Sequence, residues 1–169
     1  MNNFEKVIEF NKTFGVTTFD KLQPNIFNTD PPLVDLRLKL IQEEVKELET
    51  AIKNKDFIET IDALSDILYV VYGAGSSFGI DLNKTFDIVH RSNMSKVCQT
   101  QEEAEQTIKW YENNSEEFNK NNPLQAPIEP KWKIINEKYV VYNATTGKVL
   151  KSINYEKVDF AKYFYPEKN

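Results

Sequence analysis

The chain contains little of several residue types that would define other protein classes. It has 169 residues with one cysteine and one histidine. Because Cys98 cannot form an intramolecular disulfide, we expect a reducing compartment, either the cytoplasm or, for a viral protein, the host cytoplasm. A single histidine, His90, cannot supply the two Glu-x-x-His elements of a di-iron bundle. Disulfide scaffolds and di-iron centres are therefore disfavoured.

Long apolar runs and dense basic clusters are also missing. The N-terminal MNNFEKVIEF has no apolar core flanked by basic residues, and no run approaches the length of a membrane span. The net charge is −5, and no Lys/Arg cluster is dense enough to follow a phosphate backbone. We therefore expect a soluble, unprocessed protein with no membrane or nucleic-acid partner, which acts on small molecules or binds protein.

The composition of the chain is typical of one globular domain with a hydrophobic core, since 40% of the residues are hydrophobic and 28% are charged. Apolar spacing predicts helices over residues 2–14, 32–54, 57–77 and 101–113, and another that Asp81 caps and that ends near Met94. The stripe of the second helix comprises Val34, Leu38, Ile41, Val45, Leu48 and Ile52. This pattern predicts an all-α fold resembling a four-helix bundle.

The C-terminal part has a different composition. Three prolines, Pro123, Pro127 and Pro130, indicate a linker. Beyond them, KWKIINEKYVVYN and KVLKSI flank ATTG, which predicts a β-hairpin with Gly147 in its turn. The prediction is a helical domain over residues 1–122, with residues 123–169 as its linker and hairpin appendage.

Two acidic clusters lie on successive predicted helices joined by a short turn. The clusters are Glu43, Glu44 and Glu47 in EEVKE, and Glu59, Asp62 and Asp66 in ETIDALSD. At about 100° per residue, Glu44 and Glu47 lie within roughly 60° of each other, and Asp62 and Asp66 within roughly 40°. If the two helices form an antiparallel hairpin, the acid ridges can meet.

Asp66 is the only charged residue in ALSDILYVVYGAG, residues 63–75. Because a helix without a polar side is normally covered all round, we expect Asp66 to enter the interior. An unpaired buried carboxylate costs several kcal/mol, and several carboxylates at one point repel each other. A divalent cation with oxygen ligands, Mg²⁺ or alternatively Mn²⁺, would compensate. The alternative is that these acids form a solvent-exposed helix face that binds no ion.

The same segments resemble a known family. RLKLIQEEVKELE, DALSDILYVVYGAGSSFGIDL, VHRSNMSK and TGKVLKSINY are similar to motifs of the all-α nucleoside triphosphate pyrophosphohydrolases, which include MazG-like proteins, dimeric dUTPases and the phosphoribosyl-ATP pyrophosphohydrolase-like fold. The resemblance covers Phe4 to about Tyr155. It implies hydrolysis of a nucleoside triphosphate, with dUTP as first choice, to monophosphate and pyrophosphate in nucleotide-pool cleaning.

The resemblance also implies roles for individual residues. Glu44, Glu47 and Asp66 correspond to metal ligands, with Glu43 or Glu44 as the base that takes a proton from water. Phosphate contacts are implied for Asn93 and Lys96, with Arg91 as a weaker candidate for the same task. Tyr69 lies on the acid face of its predicted helix, where it either contacts base or sugar or belongs to the core.

The chain departs from the family pattern at Ala63, where ExxD read in register with Asp66 requires a glutamate. Glu59 and Asp62 also spell ExxD, four residues earlier. We keep the register of the apolar run, so that Asp62 supplies the missing carboxylate and Glu59 lies one turn further out. The number of metal ions stays open. An alternative function also follows, a catalytically weak nucleotide-binding or protein-interaction bundle.

The predicted assembly is a homodimer or a dimer of dimers. A short bundle with two apolar helix faces seldom covers both of them alone.

Overall fold

The computed structural model describes residues 1–165. The helices are α1 (Asn3–Thr13), α2 (Ile26–Thr29), α3 (Pro31–Asn54), α4 (Phe57–Phe78), α5 (Leu82–Met94), α6 (Gln101–Asn113), α7 (Ser115–Asn121) and α8 (Phe160–Phe164). A 3₁₀ turn spans Pro123–Gln125, and the strands are β1 (Pro130–Ile135) and β2 (Lys138–Asn143). The predicted all-α class with a small hairpin is confirmed.

Helix bounds follow the capping residues of the sequence. The Asp56 carboxylate accepts hydrogen bonds from the backbone N–H groups of Ile58 and Glu59, which begins α4. Lys55 adopts a left-handed conformation at the end of α3, so only two residues separate α3 from α4. Asp81 caps α5 as predicted. The long helices agree with the sequence prediction to within about two residues.

The chain separates into two compact units, Met1–Phe86 and a second that begins at Asp87. The predicted division was after residue 122. The structural units differ from it because α6 packs against both strands of the hairpin, which places helix and hairpin in one core.

In the first unit, α3 and α4 form a helical hairpin and α1 packs along α4. The Asn11 side chain donates to the Ser76 hydroxyl over 2.7 Å. Phe4 and Tyr72 pack with ring centroids 5.9 Å apart. These contacts fix one side of α4, near its C-terminal end.

The remaining sides of α4 are open in the single chain. Asp66 is exposed, so the prediction that it enters the interior of this chain is wrong. Ile61 and Leu64 are each 49% exposed and Leu68 is 57% exposed. The physical reason is that α1 and α3 cover only part of α4, and no further element of the first unit lies over these side chains.

The apolar stripe of α3 is also partly open. Leu38, Val45 and Ile52 are 54%, 40% and 60% exposed. Arg37 and Ala51 are instead the buried residues of α3. The stripe is apolar as predicted, but it faces away from the contacts that this chain makes with itself.

The second unit has a closed core. Its buried members are Cys98, Ala104, Tyr111, Ile128, Val141 and Leu150. Because Ile128 is 8% exposed, the proline segment is packed against this core and is not a free linker.

The β-hairpin turns at a different place from the one predicted. Ile135 pairs with Lys138, and the turn residues Asn136 and Glu137 both have positive φ, as a type I′ turn requires. The ATTG segment instead leads from β2 into an isolated bridge between Tyr142 and Val149. Gly147 lies in that second turn with φ of +72°.

Among residues 1–165, no single helix has the length and apolar character needed to cross a membrane; α4 and α5 meet that criterion only as a bent pair.

Candidate metal and nucleotide site

The α3–α4 hairpin brings acids of both helices to one open cavity of about 670 Å³. Four of the predicted site residues line it, and with them lie Ala63 and residues that the site prediction did not include. The four are Glu43, Glu47, Glu59 and Asp62, and the others are Lys46, Thr50, Ala51, Asn54 and Asp56. Acids of both predicted clusters therefore line one cavity, whereas Glu44 and Asp66 lie outside its lining.

Glu44 is the carboxylate that connects the two clusters electrostatically. Its partial burial, followed by the negative charges of Glu47, Asp66, Glu43 and Asp62, raises the pKa of its carboxyl above the ordinary value of 4.5. Two of those charges belong to α3 and two to α4. Since neither Glu44 nor Asp66 lines the cavity itself, the acid group extends along the hairpin beyond it.

The position of Glu44 follows from the face of α3 that packs. Arg37, Leu40, Glu44 and Ala51 recur at helical spacing, and all four are buried or half-buried. The Nε–H of Arg37 donates to the Ser77 hydroxyl over 2.9 Å at one end of this face. Because Arg37 and Ala51 pack at the two ends of this face, Glu44 lies between them on the side of α3 that contacts α4.

Ala63 has a structural role at this contact. It is 3% exposed, and Ala51 across the cavity is 5% exposed. A glutamate at position 63 would have to bury its carboxylate or separate the helices. The neighbouring Asp62 is exposed and lines the cavity, so it can present an oxygen where residue 63 cannot.

Three predicted phosphate contacts belong to the second unit. Lys96 donates through Nζ to the Asn93 side-chain oxygen over 2.7 Å, which agrees with their predicted position together at one helix end. Arg91 lies on α5 and is exposed. Because these residues and the acids lie in different units, each group is described within its own unit.

Tyr69, the predicted base or sugar contact, lies on α4 in the first unit. Its ring packs edge-on against Phe10 with centroids 5.5 Å apart, and 39% of the residue is exposed. It therefore has a packing role on α1 and keeps an accessible surface.

The acid set offers carboxylate oxygens, the ligands that Mg²⁺ and Mn²⁺ take. Burial and then the neighbouring negative charges raise the pKa of Glu44, and a bound cation would relieve the repulsion among these charges. Within residues 1–165, no three Asp, Glu, His or Cys side chains converge closely enough to hold an ion. Donor chemistry and charge fit the cation.

The site prediction did not include Lys46, Thr50 and Asn54, which line the cavity from α3. A signal was available, since Glu43, Glu47, Thr50 and Asn54 follow each other at intervals of three and four residues on one helical face. Lys46 is the single basic residue of the lining.

Comparison with known proteins gave one family and one viral relative. The family model described as phosphoribosyl-ATP pyrophosphohydrolase matches residues 7–93, just over half of the chain. An uncharacterized protein, L479, of Acanthamoeba polyphaga mimivirus is 30% identical, and the match covers 94% of this chain and 94% of that protein. The family match includes both acid clusters and ends at Asn93.

Proposed function

Since the chain belongs to the phosphoribosyl-ATP pyrophosphohydrolase family, within the all-α MazG-like pyrophosphohydrolase superfamily, we propose that it is a Mg²⁺-dependent nucleoside triphosphate pyrophosphohydrolase. The substrate is a nucleoside or deoxynucleoside triphosphate, with dUTP as first choice, and the products are the monophosphate and pyrophosphate. The single observation that carries the proposal is the cavity on the α3–α4 hairpin, which is lined by Glu43 and Glu47 from α3 and by Glu59 and Asp62 from α4. A solvated acidic face on one helix would not place acids of two helices at one cavity.

Glu44, Glu47, Asp62 and Asp66 would hold Mg²⁺ or Mn²⁺, with Glu59 at the outer end. Bound cations supply charge neutralisation on the phosphate oxygens and lower the pKa of bound water. The exposure of these acids in the single chain leaves their oxygens accessible to cation and substrate.

Side chains of the protein accept the proton and bind the substrate. Glu43 or Glu44 accepts the proton of the attacking water. The amide of Asn93 and the ammonium of Lys96 donate to phosphate oxygens, with Arg91 as a further cation. Tyr69 contacts base or sugar through its accessible surface.

We propose that the protein acts as a homodimer or a dimer of dimers. The exposed apolar residues of α3 and α4 are the surface that a second copy would cover, and they flank the acid cluster. Their burial would bring Asp66 closer to a low-dielectric environment, in which its demand for a cation increases.

The test is a nucleotide panel with Mg²⁺ or Mn²⁺ in which pyrophosphate and phosphate are measured separately. Pyrophosphate as product, lost in Asp66→Asn and Glu47→Gln, supports the proposal. Glu49→Gln is the matched control, because Glu49 is an exposed acid on α3 outside the cavity lining. Calorimetric titration with Mg²⁺ provides a second readout that does not depend on turnover.

The alternative function is a weak or inactive nucleotide-binding bundle, and the alanine at position 63 is the observation that favours it. In that case triphosphate binds and no pyrophosphate appears with any nucleotide. Turnover that is unaffected by Asp66→Asn would contradict the site itself.

A further inference from the structure

The second unit contains a basic cavity outside the family match. The cavity measures about 450 Å³, within the size range of small-molecule sites. The residues that matter for its chemistry are Lys96, Trp110, Asn122, Gln125, Lys148 and Lys151. No acidic residue lines it, although the whole chain has a net charge of −5. The three lysines therefore make it a site of locally positive potential.

The lysines of this cavity have no carboxylate partner within residues 1–165. The ion pairs of that part of the chain are Met1–Glu5, Lys39–Glu43 and Lys84–Asp81, all in the first unit. Lys96 bonds to a neutral amide, and the Lys151 ammonium lies 4.8 Å from the centre of the Tyr155 ring. Their charge remains available to an anion.

The wall of the cavity also offers an aromatic face. Trp110 is 50% exposed, and its ring packs edge-on against Tyr111 with centroids 4.9 Å apart. Tyr111 is itself fixed, because its hydroxyl donates to the Lys151 carbonyl over 3.2 Å and accepts from the Lys151 N–H over 3.1 Å. Trp110, on α6, therefore packs against a neighbour that is fixed by hydrogen bonds to the backbone of Lys151.

Carboxamides complete the lining. Asn122 is held in place by its Nδ2, which donates to the Phe118 carbonyl over 3.0 Å. Gln125 lies beside it, at the end of the 3₁₀ turn. Amide groups both donate and accept hydrogen bonds, as the edge of a nucleobase does.

We propose that this cavity binds a mononucleotide, with its base against Trp110 and its phosphates on Lys148 and Lys151. A nucleotide combines a flat aromatic group with several negative charges, and the cavity offers the complement of both. Its concave shape and the chain's net negative charge favour a single nucleotide over a nucleic-acid strand. The inference rests on the proposed function only for the choice of ligand class.

The fluorescence of Trp110 can be used to measure binding in this cavity. The chain has two tryptophans, so Trp132→Phe leaves Trp110 as the sole tryptophan emitter. In this variant we expect saturable quenching by dUTP in the presence of EDTA, corrected for absorption with free tryptophan. EDTA separates the cavity from the metal site, because acid ligands bind no nucleotide without a cation.

Lysine variants test the phosphate contacts. Lys148→Ala and Lys151→Ala, each in the Trp132→Phe background, should weaken the quenching titration about tenfold, the effect of one lost charged hydrogen bond. Lys131→Ala is the matched control, since Lys131 is an exposed lysine of the second unit outside this cavity. Thermal melts show whether each variant is folded.

The outcomes separate this inference from the proposed hydrolase. Saturable quenching that only the cavity lysines weaken supports it, even if no nucleotide is hydrolysed. Hydrolysis without any quenching of Trp110 up to millimolar nucleotide overturns it and leaves the hydrolase intact. Equal binding of uridine and dUTP, or tighter binding of a single-stranded oligonucleotide than of dUTP, also overturns it.

Discussion

The two units of this chain bury their apolar residues to different extents. The second unit has a closed core, in which Cys98, Ala104 and Val141 are all at 0% exposure, although Trp110 and Ile134 on its surface are 50% and 59% exposed. The first unit leaves large aliphatic side chains open on α3 and α4, beside acids that are also exposed, apart from the half-buried Glu44. The proposed second copy of the chain would cover these aliphatic side chains.

The largest expected effect concerns the acids of the first unit. Asp66→Asn should lower the turnover number for pyrophosphate release by at least about a hundredfold, since a charge that neutralises the reacting phosphates is lost. Initial rates at saturating Mg²⁺ measure it. Glu49→Gln should stay within about twofold of wild type, as surface changes away from a site do. Equal losses in both variants would contradict the assignment.

The next effect concerns the open apolar surface. Leu68→Lys should raise the dissociation constant of a homodimer by about a hundredfold, because a buried leucine and an unpaired charge both oppose association. Sedimentation velocity over a concentration series measures it. Ile134→Lys is the control in the second unit, where the residue is 59% exposed on the hairpin. If both variants dissociate alike, or wild type is a monomer, the first unit is not the interface.

A smaller effect compares one glycine from each unit. Gly79 has φ of +70°, and a Cβ there would lie 1.9 Å from the Lys21 carbonyl oxygen. Gly147 has φ of +72° with no atom within 4 Å of that position. Gly79→Ala should lower the free energy of unfolding by about 2 kcal/mol or more, and Gly147→Ala by about 1 kcal/mol. Urea unfolding measures both, and equal costs would contradict the close contact at Gly79.

The smallest effect concerns pH. The pKa of Glu44 is raised above 4.5 by burial and by neighbouring carboxylates, so the folded state holds the proton more tightly than the unfolded state. Without a cation, the contribution of Glu44 to stability is therefore largest below pH 4.5 and is lost as the pH rises through its folded pKa.

Asp66→Asn removes one of these charges and should lower the pKa of Glu44 in the metal-free protein. Carboxyl ¹³C NMR titration of Glu44 measures the shift, with Glu49→Gln as control. An unchanged titration curve in Asp66→Asn would show that the two helices are not coupled as the structure has them.

Local sequence signals were sufficient for the helices and for much of the acid site. Asp56 and Asp81 cap where their side chains predict, and helical periodicity places acids of both clusters along one cavity of the α3–α4 hairpin. The metal ligands themselves stay predictions. So do the phosphate contacts of Asn93 and Lys96, whose mutual hydrogen bond alone is observed.

Other features depend on information that local pattern does not contain. The exposure of Asp66 could not be inferred, because an apolar stripe does not reveal whether the same chain or another one covers it. The hairpin turn was misplaced because ATTG carries a glycine, whereas the true turn uses positive φ at Asn136 and Glu137. The cavity at Trp110 combines residues that are distant in sequence, from α6 and from the segment after β2.

The buried position of Ala63 limits which substitutions the acid cavity can accept. Because its methyl group is buried at the edge of the acid cavity, the side chain at this position is limited in size by the spacing of α3 and α4. Restoring the family's glutamate here would widen the hairpin and displace the oxygens it was meant to join. An acid can be gained at position 62, where the side chain is exposed, without the steric cost that the same change has at position 63.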